Sequence, residues 1–222
     1  MKYRTILLPV LLLMIWSGLF RVPSQVRPAM PDCHPMAELD QHIQKRFGTM
    51  ERFGVRRIVT TPYHLQYFKP ENEAEKKTLA QLEQDQWTVA FYLAGRQVLE
   101  EKPDEMMWQL WEKQSGNFYL RKPINNPVLL TRDAKLEHLP TTRELWDETR
   151  RAMKMFSRKD QYEFRVGDWK IAARPIRASQ EACLKCHVKQ QLMADGTVKP
   201  LDPQLKIGAP LGVALYAYRP AK

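Results

Sequence analysis

One short segment, Cys183-Leu184-Lys185-Cys186-His187, constrains this chain more than any other. In a C-x-x-C-H pattern, two thiols on a tight turn can each form a thioether with a haem vinyl group, and the histidine that follows can bind the iron. The three side chains must act together, so the fold has to present them on one turn. The segment predicts a single covalent haem c, with Cys183 and Cys186 as thioether residues and His187 as the proximal iron ligand.

Two other uses of paired cysteines fit the chain less well. A structural zinc site needs four ligands, and the only other cysteine, Cys33, lies 150 positions before Cys183. A dithiol redox pair is expected at a strand-to-helix junction near a βαβ pattern, and no such pattern surrounds Cys183 and Cys186. Haem attachment is therefore the favoured interpretation, with zinc and dithiol chemistry as alternatives.

The amino terminus has the pattern of an export signal. Lys2 and Arg4 precede an apolar run over residues 6–20, which is shorter than the about 20 residues of a spanning helix. We predict that residues 1–24 form a signal peptide cleaved after Ser24, with an uncleaved membrane anchor as the alternative. Either arrangement places the rest of the chain in the periplasm or another exported compartment, where c-type haem is attached.

The remainder is long enough for one domain with a sizeable core. Residues 25–35 are rich in proline and predict a linker. Residues 36–222 predict a single haem-binding domain, because about 200 residues are too few for two comfortable domains. The net charge of +10 comes from lysines and arginines that are scattered rather than in blocks. This pattern favours an acidic redox partner protein or an anionic membrane surface over nucleic acid, and a basic surface that serves only solubility is the alternative.

Apolar spacing and capping residues predict three amphipathic helices. The first has apolar residues at helical spacing from Met36 to Phe47 and ends at Gly48. The second begins at Asn72, which has a glutamate three positions later. The third, and clearest, begins with a Thr141 and Glu144 capping box and continues to Phe156.

The apolar period changes to two directly after the third helix, which predicts an antiparallel hairpin. Residues 162–166 and 169–175 alternate in polarity on either side of Gly167-Asp168, a pair suited to a two-residue turn. Further strands are predicted at 87–93, 117–120 and 212–218. The chain is therefore predicted to be α+β, with helices packed on an antiparallel sheet and the haem motif in a connection between two strands.

Three stretches in the last hundred or so residues carry a resemblance to a known family, and the haem motif is the most specific part of them. They are Arg121-Lys122-Pro123-Ile124-Asn125-Asn126-Pro127, Ala173-Arg174-Pro175-Ile176 leading into the haem motif, and Ile207-Gly208-Ala209-Pro210-Leu211-Gly212-Val213. In these stretches the chain resembles the Tll0287-like family of c-type haem proteins. The resemblance implies a PAS-like domain that holds one six-coordinate haem, with a role in electron transfer or redox sensing outside the cytoplasm.

The distal iron ligand has several candidates. The family includes a member with a cysteine thiolate in that position, and Cys33 is the thiol here that could correspond to it. His64 lies in an aromatic setting that suits a haem face. Cys33 and His64 rank together, an open coordination position ranks third, and His34, His42, His138 and the methionines are weaker candidates.

Two functions follow from a haem in this setting. A stand-alone electron-transfer protein needs only an exposed haem edge and a docking surface, whereas a redox or gas sensor of this length would have to signal through a partner protein. Electron transfer is favoured and sensing is the alternative. The carboxylates are dispersed and indicate no general base, so enzymatic turnover ranks third.

A haem placed between the helices and the sheet would also affect folding. Trp87, Trp108, Trp111 and Trp169 would then pack against the haem, and the protein without haem would fold poorly. Ordinary core positions are the alternative for these tryptophans.

Overall fold

A computed structural model describes residues 34–48, 58–60, 66–99, 102–113, 123–132, 138–187, 190–192, 198–200 and 205–221. These residues belong to one compact unit, Cys33–Lys222. Several predictions lie outside the described residues. They are the signal segment 1–24, most of the linker 25–35, the strand at 117–120, and the candidate ligands Cys33 and His64.

The described residues form an α+β fold, as predicted. The helices are α1 (His34–Gly48), α2 (Glu73–Gln84), α3 (Glu105–Lys113), α4 (Thr142–Met155) and α5 (Glu181–His187), with a 3₁₀ turn at Arg96–Leu99. The strands are β1 (Ile58–Thr60), β2 (Gln66–Phe68), β3 (Trp87–Gly95), β4 (Val128–Leu129), β5 (Tyr162–Val166), β6 (Trp169–Arg177), β7 (Gln190–Leu192), β8 (Val198–Pro200) and β9 (Pro210–Pro220).

The main sheet is mixed rather than purely antiparallel, which corrects the prediction. Its strand order is β1-β2-β4-β3-β9-β6-β5, and β7 pairs with β8 in a separate two-stranded sheet. Neighbouring strands in the main sheet are antiparallel except for β2 and β4, which run parallel. The parallel pair joins segments about 60 residues apart in the chain, and such a distant pairing leaves no local sequence signal.

Strand β9 lies between two long strands, β3 and β6. It pairs with β3 from Trp87↔Pro220 to Gly95↔Gly212, and with β6 along its other edge. Nearly all of β9 is buried because both faces of the sheet are covered. Leu215 packs into the core on one face, whereas the neighbouring Tyr216 points to the other face.

Helix α4 covers the first face, and the sequence predicts it accurately. The Thr141 side chain accepts a hydrogen bond from the Glu144 backbone, and the Glu144 side chain accepts one from the Thr141 N–H, which completes the capping box. The residues that the apolar spacing points inward are buried. They are Leu145, Trp146, Thr149, Met153 and Phe156.

Helix α1 packs on the opposite face of the sheet. The buried Tyr216 hydroxyl donates to Asp40 Oδ1 at 2.7 Å, and Arg174 on β6 lies 4.0 Å from the same carboxylate. Burial, together with the Asp40 charge, raises the pKa of Tyr216 well above its usual value. The phenol therefore stays protonated and acts as a fixed hydrogen-bond donor to α1.

The tryptophans predicted to contact haem are packed by protein side chains. Trp108 and Trp111 on α3 form an edge-to-face pair with ring centres 5.4 Å apart. Trp108 also packs edge-to-face on Trp146, with ring centres 5.5 Å apart. Trp169 is buried under the Arg219 guanidinium, which lies 4.3 Å from its ring centre. Trp87 packs edge-to-face on Tyr218 at 5.7 Å. These contacts fit the alternative of ordinary packing, because each ring has a protein partner that does not depend on haem.

We therefore predict that the haem-free protein folds. A Cys183→Ala, Cys186→Ala double variant, which cannot form thioethers, should unfold cooperatively in urea and keep its near-ultraviolet circular dichroism. Loss of the buried Cys183 thiol should lower the free energy of unfolding by about 1 to 2 kcal/mol. A non-cooperative transition with no near-ultraviolet signal would contradict this account and indicate that haem completes the core.

Candidate functional site

The haem motif lies where the sequence predicts, in the connection between two strands of the sheet. Strands β6 and β9 are adjacent and antiparallel, so a tight hairpin could join them. Residues 178–209 join them instead, and α5 occupies part of this connection. The motif forms the last five residues of the seven-residue helix α5, rather than the single tight turn expected.

Main-chain hydrogen bonds close the base of this connection. The Ala178 N–H donates to the Ala209 carbonyl at 2.9 Å, and the Gly208 N–H donates to the Ala178 carbonyl at 2.8 Å. Gly208 has a φ of +86°, a backbone conformation that residues with a side chain rarely adopt. Glycine therefore suits this tight return of the chain. The two ends of the connection are therefore held together, and α5 projects from a fixed base.

Arg177 ties this base to the end of α4. Its guanidinium donates to the carbonyls of Gly208 and Phe156, each at 2.8 Å, and pairs with Asp160 at 2.7 Å. Phe156 is the C-cap residue of α4, where carbonyls lack helical partners and favour a cation. This role of Arg177 could not be predicted from the sequence, because its partners Phe156 and Gly208 lie 21 and 31 positions away in the chain.

The stretches that carry the family resemblance meet at this end of the sheet. Ile176 on β6 pairs with Gly212 on β9, and Gly212 pairs with Gly95 on β3. The Gly95 N–H donates to the Pro123 carbonyl at 2.9 Å. A Cβ on Gly212 would lie 2.6 Å from the Ala94 carbonyl oxygen, so the close strand approach requires glycine.

Cys183 lies in a small apolar cluster of its own. The side chain is 7 % exposed and packs with Ala178, Leu205 and Leu211, and it forms no disulfide. Its Sγ lies 3.7 Å from the Ser179 hydroxyl. The thiol is thus held against the base of the connection, outside the tryptophan core.

The pKa of the Cys183 thiol is lowered from its usual value. Burial opposes the charged form, but the Ser179 hydroxyl and the nearby backbone N–H groups of residues 179, 180 and 183 outweigh burial and favour the thiolate. Cys183 lies in the first turn of α5, where free N–H groups have this effect. The arrangement therefore favours the thiolate form of Cys183 relative to an ordinary cysteine.

The backbone of α5 suits the predicted haem attachment. Positions 183, 186 and 187 are three and four residues apart on one helix, and positions at this spacing share a face. Two thiols and an imidazole on one face are the donor set that covalent haem needs. The side chains of Cys186 and His187 lie outside the described set. Among the side chains within it, no three His, Cys, Asp or Glu residues cluster as metal ligands.

Two of the weaker distal candidates, His42 and His138, lie among the described residues, whereas the side chain of His34 lies outside the described set. His42 is half-buried on α1, and it lines a groove with α2 that also contains Glu38 and Thr78. The His138 carbonyl accepts a hydrogen bond from Trp169 Nε1 at 2.8 Å, and its own φ is +63°. The main chain at His138 therefore anchors the hairpin.

Ser179 is the residue near the motif that the sequence analysis missed. A serine four positions before a cysteine, at the start of a short helix, is the pattern that could have identified it.

Comparison with protein-family models, curated proteins and solved structures gave no match. None of the described helices is both long and apolar enough to span a membrane.

Removal of the Ser179 hydroxyl should raise the pKa of the Cys183 thiol. In the haem-free protein, Ser179→Ala deletes one donor to the sulfur, so the thiolate should form at higher pH than in the parent chain. The pH dependence of iodoacetamide alkylation at Cys183, followed by peptide mass spectrometry, measures this change. Ser157→Ala is the control, because that hydroxyl bonds to the Lys154 carbonyl. An unchanged alkylation profile in Ser179→Ala would contradict the assigned hydrogen bond.

Proposed function

We propose that this protein is an exported mono-haem c-type protein that acts in electron transfer or redox signalling. Cys183 and Cys186 would carry the thioethers and His187 would bind the iron on the proximal side. The observation that supports this most strongly is the placement of all three motif positions on one face of the short helix α5. A mixed sheet with helices on both faces is compatible with the PAS-like domain that the family resemblance implies.

The residues around Cys183 would promote its attachment. Thioether formation adds a thiol S–H across a vinyl group, so no oxidant is needed. The lowered pKa of Cys183 increases the fraction of thiolate available for this addition. The covalent haem would then supply reversible one-electron chemistry at its iron.

The base of the connection would hold the attached group in a fixed orientation. Arg177 links this base to α4, and the backbone bonds of Ala178 tie it to the start of β9. The two sides of this base directly follow β6 and precede β9, which are adjacent strands of the sheet. A rigid anchor suits electron transfer, because little of the protein would need to rearrange when the iron changes its charge.

The distal ligand and the partner complete the proposal. Cys33 and His64 are the distal candidates, with an open position third; a thiolate would lower the reduction potential, whereas histidine would leave it higher. The net charge of +10 suits an acidic redox partner. Export to the periplasm, with the amino-terminal segment cleaved or retained as an anchor, would give the protein access to haem attachment.

Two alternatives retain specific support. A haem-based redox or gas sensor that acts through a partner protein would use the same covalent group, with an open or exchangeable distal position. A dithiol redox pair is favoured by the lowered pKa of Cys183, since a thiol at the start of a helix is also the attacking group of such pairs. Optical spectra separate the haem proposals from the dithiol one.

The direct test is spectroscopy of the full chain, coexpressed with c-type haem maturation proteins. We expect a c-type optical spectrum, with low-spin electron paramagnetic resonance in the oxidised state if the iron is six-coordinate. Cys183→Ala and Cys186→Ala should each reduce covalent haem, and the double variant should abolish it. His138→Ala is the matched control and should keep full haem content.

The axial ligands give the second measurement in the same experiment. Cys33→Ser and His64→Gln should be compared, and the one that converts the low-spin signal to high-spin identifies the distal ligand. A high-spin parent would favour gas sensing. Soluble, folded protein without covalent haem would contradict the proposed function and favour dithiol chemistry.

A further inference from the structure

A tight turn presents an isoleucine to solvent at the base of the connection that carries the haem motif. The Ala209 N–H donates to the Lys206 carbonyl at 2.9 Å, and Gly208 between them has a φ of +86°. A positive φ at the third residue is typical of a type II turn and favours glycine there. Ile207 occupies the second position, and its side chain at the tip of the turn is 57 % exposed.

Bonds and packing hold this turn beside the haem motif. The Arg177 guanidinium donates to the Gly208 carbonyl at 2.8 Å. Leu205 and Ala209, on either side of the tip, pack in the apolar cluster of Cys183. The exposed side chain at the tip is therefore fixed close to the thiol that would carry the haem.

Cations without ion-pair partners lie next to the tip. The Arg177 guanidinium also donates to the carbonyl of the α4 C-cap residue at 2.8 Å, so it brings the end of α4 to the turn. Arg158 and Lys159 follow that C-cap, and Lys206 begins the turn. All three cations are exposed, and none forms an ion pair with another described residue. We call residues 206–209, together with Arg158 and Lys159, the Ile207 surface.

Nearby acidic residues offset little of this charge. The carboxylate of Asp160 is already bound to Arg177 at 2.7 Å, and that of Asp40 accepts a hydrogen bond from a tyrosine on β9 at 2.7 Å. Glu163 lines the same cleft as two of the cations and can offset one of the three charges. The Ile207 surface therefore keeps a positive charge around an apolar tip.

We propose that the Ile207 surface is the docking site for an acidic redox protein that exchanges electrons with the attached haem. This inference rests on the proposed function. An apolar centre within a polar rim is the usual anatomy of a protein interface, and opposite charge on the partner would steer it to this side of the molecule. The contact would be small, as in other short-lived redox complexes.

An acidic protein fits this surface better than an anionic membrane does. Binding at a membrane surface grows with the apolar area that enters the lipid, which is commonly the whole face of an amphipathic helix. The other exposed large apolar side chains among the described residues, Met106 and Leu110, lie on α3. Helix α3 meets the start of α4, through Arg143 and Glu105, whereas the turn meets its end. One isoleucine gives a membrane little to bind, but a protein can cover it and pair with the cations.

Poly-L-glutamate is a probe for this surface that needs no haem. We expect it to shift the backbone N–H resonances of residues 206–208 in nitrogen-proton correlation spectra of the full chain at low salt. A Lys159→Glu, Lys206→Glu double variant should raise the dissociation constant about 10-fold, because each exposed charge contributes modestly. Lys69→Glu, Lys77→Glu is the matched control. It has the same net charge, with both changes at exposed positions near β2 and α2, and should bind like the parent.

A random copolymer of glutamate and tyrosine tests the apolar tip. Its rings can cover Ile207, so the parent should bind it about 3-fold more tightly than poly-L-glutamate. Ile207→Ser should remove this difference and leave the affinity for poly-L-glutamate unchanged.

Reduction of the haem-loaded protein tests the link between this surface and the haem. At low salt, the Lys159→Glu, Lys206→Glu variant should be reduced about 10-fold more slowly than the control by the anion Fe(II)–EDTA. Hexaammineruthenium(II), a cation, should not be slowed. Equal rates in the variant and the control with both reductants would overturn the proposed docking site.

The binding measurements have their own contradicting results. The proposal is wrong if poly-L-glutamate does not bind the folded parent, or binds the charge-reversed variant as tightly as the control. Binding of phosphatidylglycerol vesicles without binding of poly-L-glutamate would also overturn it and would assign the surface to a membrane. A chain that binds the polymer at this turn but carries no haem would contradict the proposed function and leave the acidic docking site standing.

Discussion

The pairing of β9 with both β3 and β6 is the constraint on which the rest of the structure depends. Because β9 is hydrogen-bonded along both edges, its alternating residues are divided between two covered faces. Leu215 meets the α4 side, and Tyr216 holds α1 through Asp40. A shift of one residue in this register would exchange the two faces and dismantle both layers.

The same register sets the position of the candidate site. Strand β9 begins at Pro210, which pairs with Arg177, and the register between β6 and β9 shifts at a bulge between Ile176 and Arg177. Arg177 can then turn toward Gly208 and the end of α4. The thiol of Cys183 thus depends on long-range strand pairing for its location, and on its own helix and Ser179 for its lowered pKa.

The sequence predicts those parts of the fold whose signals are local. The capping box at Thr141 and the alternation around Gly167-Asp168 each involve residues a few positions apart, and the structure has both. The parallel pairing of β2 with β4 could not be predicted, because strands of two or three residues carry almost no pattern. Helix α3 is a further difference, because the sequence predicts Trp108 and Trp111 only as haem contacts or core residues and no helix around them.

The candidate site likewise has local features that the sequence predicts and long-range contacts that it does not. The residue types and spacing of the haem motif are local and predict the attachment chemistry, whereas the anchoring by Arg177 comes from partners at distant positions. The tryptophans show that residue type alone can leave two interpretations open. Aromatic residues scattered along a sequence suit a haem pocket as well as a core, and only their mutual contacts show that protein side chains pack them.

Peptide mapping of the mature protein tests the central claim most directly. The protein, produced with c-type haem maturation proteins, would be digested and its haem-absorbing peptides sequenced by mass spectrometry. Our account predicts one haem-bearing peptide, which contains both Cys183 and Cys186 and keeps its haem in acidified organic solvent. Recovery of that peptide without haem, with both cysteines as free thiols or joined in a disulfide, would contradict the account.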